Sequence, residues 1–377
     1  MQYYAPWFRY IATNTSVTLK VFYLWDFGVT ARHDPAFKES FQWDIPLMEG
    51  YDSEFVPNTS PDPGTHHFKG ISNPELPLRI RQWKPDAALL LGYNYASLLR
   101  FILTGNSAGI PLLFRGDSHR LYPTGRPLQR FGKSVLLRLL YKRFAAFLPV
   151  GSANADYFRA YGVPERKLFP TPHAVENSRF ESAAANVDIP KFRAEWNIPA
   201  DHTVFLFVGK LETKKRPMDL LEAFSKCSAK NITLVFAGSG EMEEELRRRA
   251  ENLSVRFLGF QNQSAMPAIY TICDVLVLPS FGSYETWGLA VNEAMACGRA
   301  AIVSSHVGCA QDLVIPSETG WRFPAGDVNA LQNCLEDAAS DLVRCKRYGV
   351  AAQKLLKEQN SYQTATEGLL HALESLS

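Results

Sequence analysis

VLVLPSFGSYETWGLAVNEAMACG, residues 275–298, falls into three parts. The apolar run Val275–Leu278 has no polar alternation, the pattern of a parallel strand buried on both faces. Pro279 and Ser280 end it, and Phe281-Gly282-Ser283-Tyr284 reads as a turn-rich loop. Gly288 to Cys297 then reads as a helix that stops at Gly298, the residue type that best tolerates the left-handed C-terminal conformation. A buried strand feeding a helix N-terminus is where ligands of open α/β sheets collect.

Two carboxylates bracket that helix start. Glu285 precedes it, and Glu293 lies inside it after seven intervening residues. Were the whole span helical, they would stand roughly 12 Å apart at about 1.5 Å per residue. The backbone N–H groups of Trp287, Gly288 and Leu289 lie between them, and a helix N-terminus favours an anion there. Acceptor, anion hole and second acceptor in a row suit a ligand with hydroxyls at both ends and a diphosphate in the middle, which is the shape of a nucleotide-sugar. The competing account is a surface helix with two ordinary glutamates, and the flanking segments argue against it.

Working outward, strands and helices alternate from Val204. The strands are Val204–Val208, Ile232–Phe236, Val255–Leu258, Val275–Leu278 and Ala300–Val303; the helices are Met218–Cys227, Glu241–Leu253, Met266–Cys273 and Leu289–Cys297. Such alternation means a parallel, doubly wound sheet. After the first strand comes Gly209-Lys210-Leu211-Glu212-Thr213-Lys214-Lys215-Arg216-Pro217, with cations close behind a strand end and Pro opening the next helix, which suits phosphate. Ala237-Gly238-Ser239-Gly240 is a Gly-rich turn, a weak signal by itself. Leu258-Gly259-Phe260 closes the third strand.

The Glu, seven residues, Glu stretch resembles the motif of retaining glycosyltransferases of family 4, which have the GT-B architecture of two Rossmann-like domains. In that family the first Glu holds the transferred sugar, the second holds the ribose, and the loop backbone binds the diphosphate. The resemblance implies these roles for Glu285, Glu293 and Trp287-Gly288-Leu289. It implies diphosphate contacts for Lys210 and Lys215, a donor-side role for Gly209, Gly238 and Gly240, and a base pocket at Phe260. Lys210 departs from the family's Arg, keeping the charge without the bidentate fork. Ser304–Leu313 and Ser317–Phe323 resemble the family's closing segments, with Gly308-Cys309 where Gly-Gly is usual and His306 read as a loop residue.

The first half is less regular. Thr18–Leu24 is a strand pattern. Asp26–Pro63 is long, aromatic and without clear period; its Trp43–Tyr51 segment is similar to ones in bacterial family-4 transferases. Both an acceptor-side role and a hairpin excursion that merely packs fit it. Pro85–Gly92 reads as a strand, Leu98–Leu103 as a helix, and Ile110–His119 as a strand ending in a polar cluster. The register leaves open which of Arg115, Asp117 or His119 points into the cleft, and an N-cap role for Asp117 competes. Phe147–Asn154 reads as a strand and turn, and Asp156–Tyr161 as a helix. Met1–Arg9 reads as the loop and first helix after a strand, and by resemblance the first strand of the N-terminal sheet is expected to be missing from the sequence.

With 377 residues the chain suggests two domains. The expected division is 1–175, an acceptor-side domain; 176–355, a nucleotide-sugar domain; and 356–377, a helix crossing back to the first. A formal charge of +2 gives no compositional support for nucleic-acid binding. The six cysteines have no close C-x2-C pairing, so a zinc or redox site is not expected and a reduced cytoplasmic protein is. No apolar run approaches the 20 residues of a membrane span. Residues 120–144 carry Arg120, Arg126, Arg130, Lys133, Arg138, Lys142 and Arg143 with no acidic residue. A helix packed on a sheet with a solvated basic face and peripheral contact with anionic lipid at the inner membrane face both fit that pattern.

The expectation is therefore an α/β protein whose two Rossmann-like parallel-sheet domains face a cleft. It would be a retaining glycosyltransferase that uses a nucleoside-diphosphate sugar, with a glycan, lipid-linked or small-molecule acceptor. No Asp-x-Asp pair is suitably placed, so no metal and no cofactor is expected. The rivals are a nucleotide-sugar epimerase on the same fold, separated by donor-only turnover, and an inactive nucleotide-sugar-binding subunit, which would bind without turnover.

Overall fold

The computed structural model describes residues 1–34, 39–105, 109–123 and 125–376. The first unit contains α1 (Ala5–Asn14), β1 (Lys20–Tyr23), β2 (Arg32–Asp34), β3 (Glu39–Phe41), β4 (Asp52–Phe55), α2 (Leu76–Trp83), β5 (Ala88–Leu91), α3 (Ala96–Gly105), β6 (Leu112–Arg115), α4 (Pro127–Tyr141), β7 (Ala146–Phe147) and α5 (Ser152–Ala160). β1 and β4 pair in parallel, as do β5, β6 and β7, while β2 and β3 form an antiparallel hairpin. The two parallel sheets share the same two layers. Val21 of β1 and Leu89 of β5 pack toward Trp7, Phe8 and Ile11 of α1. Their neighbours Phe22, Ala88 and Leu90 pack on the opposite side, against Phe101, Phe114 and Phe147.

The second unit contains α6 (Asn177–Ala185), α7 (Ile189–Glu195), β8 (Thr203–Val208), α8 (Pro217–Ser225), β9 (Ile232–Ala237), α9 (Glu243–Arg249), β10 (Val255–Gly259), α10 (Met266–Ile272), β11 (Val275–Leu278), α11 (Leu289–Ala296), β12 (Ala300–Ser304), α12 (Ala310–Leu313), β13 (Gly320–Phe323), α13 (Val328–Ser340), α14 (Leu342–Gln359) and α15 (Tyr362–Glu374). Its six strands are all parallel in the order β10-β9-β8-β11-β12-β13. That is a doubly wound order, and the crevice at the carboxyl ends of β8 and β11, where the order reverses, is where such sheets bind ligands. Every residue of β11 is buried, which is why its sequence lacks alternation.

The elements differ from the expected spans mostly at their ends. Helix α9 is confined to Glu243–Arg249, within the longer span 241–253. The small-residue stretch Ser182–Ala185 is the end of helix α6, whose alanines are strong helix formers and whose Phe180 is buried. The C-terminal helices break at Asp341 as well as at Asn360; Asp341 caps α14 by accepting from the Arg344 amide.

Helix α15 returns to the first unit. The Trp7 indole donates to Thr366 Oγ1 at 3.1 Å. Gly368 approaches so closely that a Cβ there would stand 2.0 Å from the Pro170 carbonyl oxygen. Among the described residues, no helix is long and apolar enough to cross a membrane.

Candidate active site

The Lys210–Arg216 loop follows β8, and the Phe281–Trp287 loop follows β11, so the two meet at the switch point. Lys215 Nζ is hydrogen-bonded to the Glu285 carboxylate. The Phe281 amide donates to the Lys214 carbonyl at 3.0 Å, fastening the loops together by backbone as well. Ser280 Oγ donates to the same Glu285 oxygen at 2.9 Å. The side chains of Glu285 and Lys215 are only 12 % and 19 % exposed, so little water screens the pair.

Helix α11 begins after Gly288, whose φ of +98° favours glycine. A Cβ there would also stand 2.9 Å from Val307 Cγ1. Among the described residues the amides of Trp287, Gly288 and Leu289 take no protein acceptor, as an anion site at a helix start requires. The Trp287 indole is committed to Asn292 Oδ1 at 2.8 Å, which leaves only its backbone for a ligand.

Glu293, one turn into α11, is buried. Tyr270 OH donates to its Oε2 at 2.7 Å, and Gln263 Nε2 approaches its Oε1 at 3.4 Å. Tyr3, from the first unit, lines the same cavity as Glu293. Burial raises the Glu293 pKa above the ordinary carboxylate value, against the hydrogen bonds and the Arg179 charge that lower it. Arg179 itself is held by Gln263, through the backbone carbonyl and the side-chain oxygen, both at 3.0 Å.

Glu293 lines a cavity of about 380 Å³ with Val208, Gly209, Lys210, Ala237, Gly238, Phe260, Gln261, Gln263 and Met266. From the first unit, Met1, Gln2, Tyr3, Phe27 and Trp43 close its other side. One of its two glycines is there for close approach. A Cβ on Gly238, at φ +142°, would stand 2.0 Å from the Gly209 carbonyl oxygen, and the Gly238 amide donates to Gly259 at 2.7 Å.

The sequence-predicted residues thus divide. Glu293, Gly209, Lys210, Gly238 and Phe260 line the cavity, whereas Glu285 and Lys215 meet beside it, where the two loops are bonded together. Gly240 is not among the lining residues; its missing Cβ makes room for the Leu211 carbonyl, 2.5 Å from where a Cβ would be.

The polar cluster after β6 also divides. Arg115 does not serve the cleft: it is buried and donates to the carbonyls of Thr171, at 2.5 Å, and Pro172, at 3.4 Å. Its guanidinium stacks on Trp7, 5.0 Å away, so its two terminal nitrogens tie α1 to the inter-unit segment, while its buried Nε has no protein partner among the described residues. Asp117 Oδ2 accepts from Thr286 Oγ1 at 2.7 Å, so it grips the β11 loop instead of capping a helix. His119 Nδ1 accepts the Leu121 amide at 3.3 Å, which puts a neutral ring's proton on Nε2, facing the Glu285 carbonyl at 3.3 Å. Burial lowers its pKa and favours that neutral form. His306 accepts the Gly282 amide at 3.1 Å and packs against Tyr122 and Phe281, a loop-supporting role.

Tyr3, Trp43, Gln263, Tyr270 and Ser280 were not singled out as site residues from sequence. Ser280 sits five positions before Glu285, at a strand end, which was a usable signal. Tyr3 and Trp43 reach the cavity only through the packing of one unit on the other, which no local pattern encodes.

Two Rossmann-like units meeting over such a switch point define the GT-B class. Structures of that class superpose on this chain: Anabaena HepE in complex with UDP and glucose gives a TM-score of 0.67, at 19 % identity over 87 % of this chain and 88 % of the other. Sucrose-phosphate synthase from Thermosynechococcus elongatus gives 0.66, at 19 % identity over 87 % and 90 %.

Residues 188–355 match the family of glycosyl transferases group 1. It is 32 % identical over 179 residues to an uncharacterized glycosyltransferase of Methanocaldococcus jannaschii, covering 46 % of this chain and 45 % of that one. It is 33 % identical over 196 residues to the GDP-mannose-dependent alpha-(1-6)-phosphatidylinositol dimannoside mannosyltransferase of Mycobacterium tuberculosis, covering 47 % and 48 %. These matches span about half the length of each relative. The match to the 2-deoxystreptamine N-acetyl-D-glucosaminyltransferase of Streptomyces fradiae is longer, 26 % identity over 78 % and 72 %.

Proposed function

We propose that this chain is a retaining glycosyltransferase that moves a sugar from a nucleoside-diphosphate sugar to a glycan, lipid-linked or small-molecule acceptor, without a catalytic metal. The observation that carries the reading is the Lys215–Glu285 pair held at the β8/β11 switch point, beside a cavity walled by Glu293 and Lys210. Lys210, Lys215 and the Trp287–Leu289 amides would balance the charge that grows on the departing diphosphate. A diphosphate drawn to Lys215 competes with Glu285 for its ammonium, which frees the Glu285 carboxylate for the sugar hydroxyls. Glu293 would accept from the ribose hydroxyls at the cavity wall it forms. Glu285→Ala should reduce donor turnover by at least about a hundredfold, the scale of losing one transition-state group, while the chain still folds, at a lowered melting temperature, and still binds nucleotide. Undiminished turnover would defeat the assignment. Nucleotide binding should also survive excess EDTA.

Peripheral membrane contact belongs to the same proposal. In α4, Leu137, Leu140 and Tyr141 face the core, while Leu128, Phe131, Leu136 and Leu139 are 58–81 % exposed on the opposite side. A helix apolar on its outer face, within a stretch carrying seven cations and no acid, suits an anionic bilayer. The lipid acceptor named for the Mycobacterium tuberculosis relative fits such a location. The protein should cosediment with vesicles containing anionic lipid, less so at high salt. Phe131→Glu with Leu139→Glu should release it, and retention by that variant would refute the contact.

A further inference from the structure

We infer a divalent-cation site in the loop between β4 and α2, formed by Asp62, His66 and His67 and separate from the nucleotide cavity. Asp62 Oδ2 lies 3.0 Å from His66 Nε2 and 3.3 Å from His67 Nε2, and all three donor atoms lie within 4.8 Å of one another. Zinc ligands stand 2.0–2.1 Å from the metal, so donors on a tetrahedron are about 3.3 Å apart. The two Asp62–histidine edges already have nearly that length. The fourth position faces solvent, since Asp62 and His66 are both exposed.

The donors stand on a braced loop. Asn58 Oδ1 accepts the amides of Ser60 and Ser72, at 3.1 and 2.9 Å, and its Nδ2 donates to the Gly70 carbonyl at 2.9 Å. The Gly64 amide donates to Gly70 at 3.1 Å across the loop. Gly64 is also where the His66 ring rests: a Cβ there would stand 2.4 Å from His66 Nδ1. The glycine therefore holds open the space that lets this imidazole turn toward Asp62.

Two imidazoles and one carboxylate are borderline donors that suit Zn²⁺, Co²⁺ or Ni²⁺ better than Mg²⁺ or Ca²⁺, which prefer all-oxygen sets. His67 Nε2 also faces the Asp62 backbone carbonyl, an acceptor, at 3.0 Å, so a cation would take the Nε2 lone pairs only in the tautomer with the ring proton on Nδ1. The site follows the carboxyl end of β4 and shares no residue with the cavity.

The test is titration of the chelator-stripped full chain with Zn²⁺ by calorimetry and with Co²⁺ by visible absorption. One equivalent should bind, and the Co²⁺ spectrum should lack thiolate charge-transfer bands, which separates this site from the six cysteines. His66→Ala and His67→Ala should each weaken binding by at least about tenfold, the lower bound seen even when a ligand's outer partner is removed. Gly64→Ala should weaken it too while leaving every donor in the chain. Thermal melts of the variants report folding separately. Failure of the wild-type chain to bind either ion at 100-fold excess, or unchanged affinity in the double histidine variant, would overturn the assignment.

Discussion

At the scale of single residues, Glu293 sets a pH dependence. Its carboxyl is buried and its pKa is raised by that burial. Protonation removes one acceptor from the group proposed to hold the ribose. Affinity for a nucleoside diphosphate should therefore fall on acidification through a pH above the ordinary carboxylate range, and Glu293→Gln should flatten the profile. Calorimetry across a pH series measures both. The same group affects folding with a definite sign: the native state keeps a proton that the unfolded chain loses, so its contribution favours folding at low pH and is lost as pH rises through the native pKa. Lys215 is a second case. Its removal leaves a largely shielded Glu285 carboxylate with Ser280 as its remaining side-chain hydrogen-bond partner, a change that costs a few kcal/mol when one member of a buried pair is deleted. Lys215→Ala should thus lower both the melting temperature and donor turnover.

At the scale of elements, the β11 loop is gripped from two sides by three hydrogen bonds. Asp117 takes the Thr286 hydroxyl, the Gly308 amide donates to the Glu285 carbonyl at 3.0 Å, and the Cys309 amide donates to Trp287 at 2.9 Å. Gly308 is the tightest point, because a Cβ there would stand 1.8 Å from the Thr286 carbonyl oxygen. Gly308→Ala must push the loop away at about 1–3 kcal/mol. It should shift the urea midpoint and slow turnover together, whereas a stability loss with normal turnover would show the loop to be less constrained than its packing indicates. The strand at its base was legible because β11 is buried on both faces and so carries no polar residue, and the helix because Gly288 and Gly298 punctuate it. Arg115 was not legible: a cation at a strand end looks like a ligand group until Thr171, Pro172 and Trp7 are seen to occupy it. The split of the first unit's parallel strands into two sheets sharing two layers agrees with the irregular reading of that half.

At the scale of the whole molecule, the two units are clasped on both sides of the cleft. Asp312 in α12 accepts the Ser152 amide at the start of α5, at 3.1 and 3.2 Å, where a helix N-terminus favours a carboxylate. Across the cavity mouth, Asp44 accepts the Ser264 amide at 3.0 Å and the Ser264 hydroxyl, and Asn262 donates to the Gln42 carbonyl at 2.7 Å. Trp43 stands between those contacts and lines the cavity. A bound nucleotide should therefore change Trp43 fluorescence, and Trp43→Phe should remove that part of the signal. Asp44→Ala deletes two exposed hydrogen bonds worth about 0.5 kcal/mol each, so the nucleotide off-rate in stopped flow should rise by about fivefold, with the on-rate less affected.

The central claim is that Lys215 and the first amides of α11 form a diphosphate site beside the cavity walled by Glu293. The most direct measurement is calorimetric titration with matched nucleoside diphosphates and monophosphates, on the natural chain and on Lys215→Ala. One diphosphate should bind at one per chain and clearly tighter than its monophosphate, with that preference collapsing in the variant. Equal affinity for the two, or a preference that survives the loss of Lys215, would contradict the account.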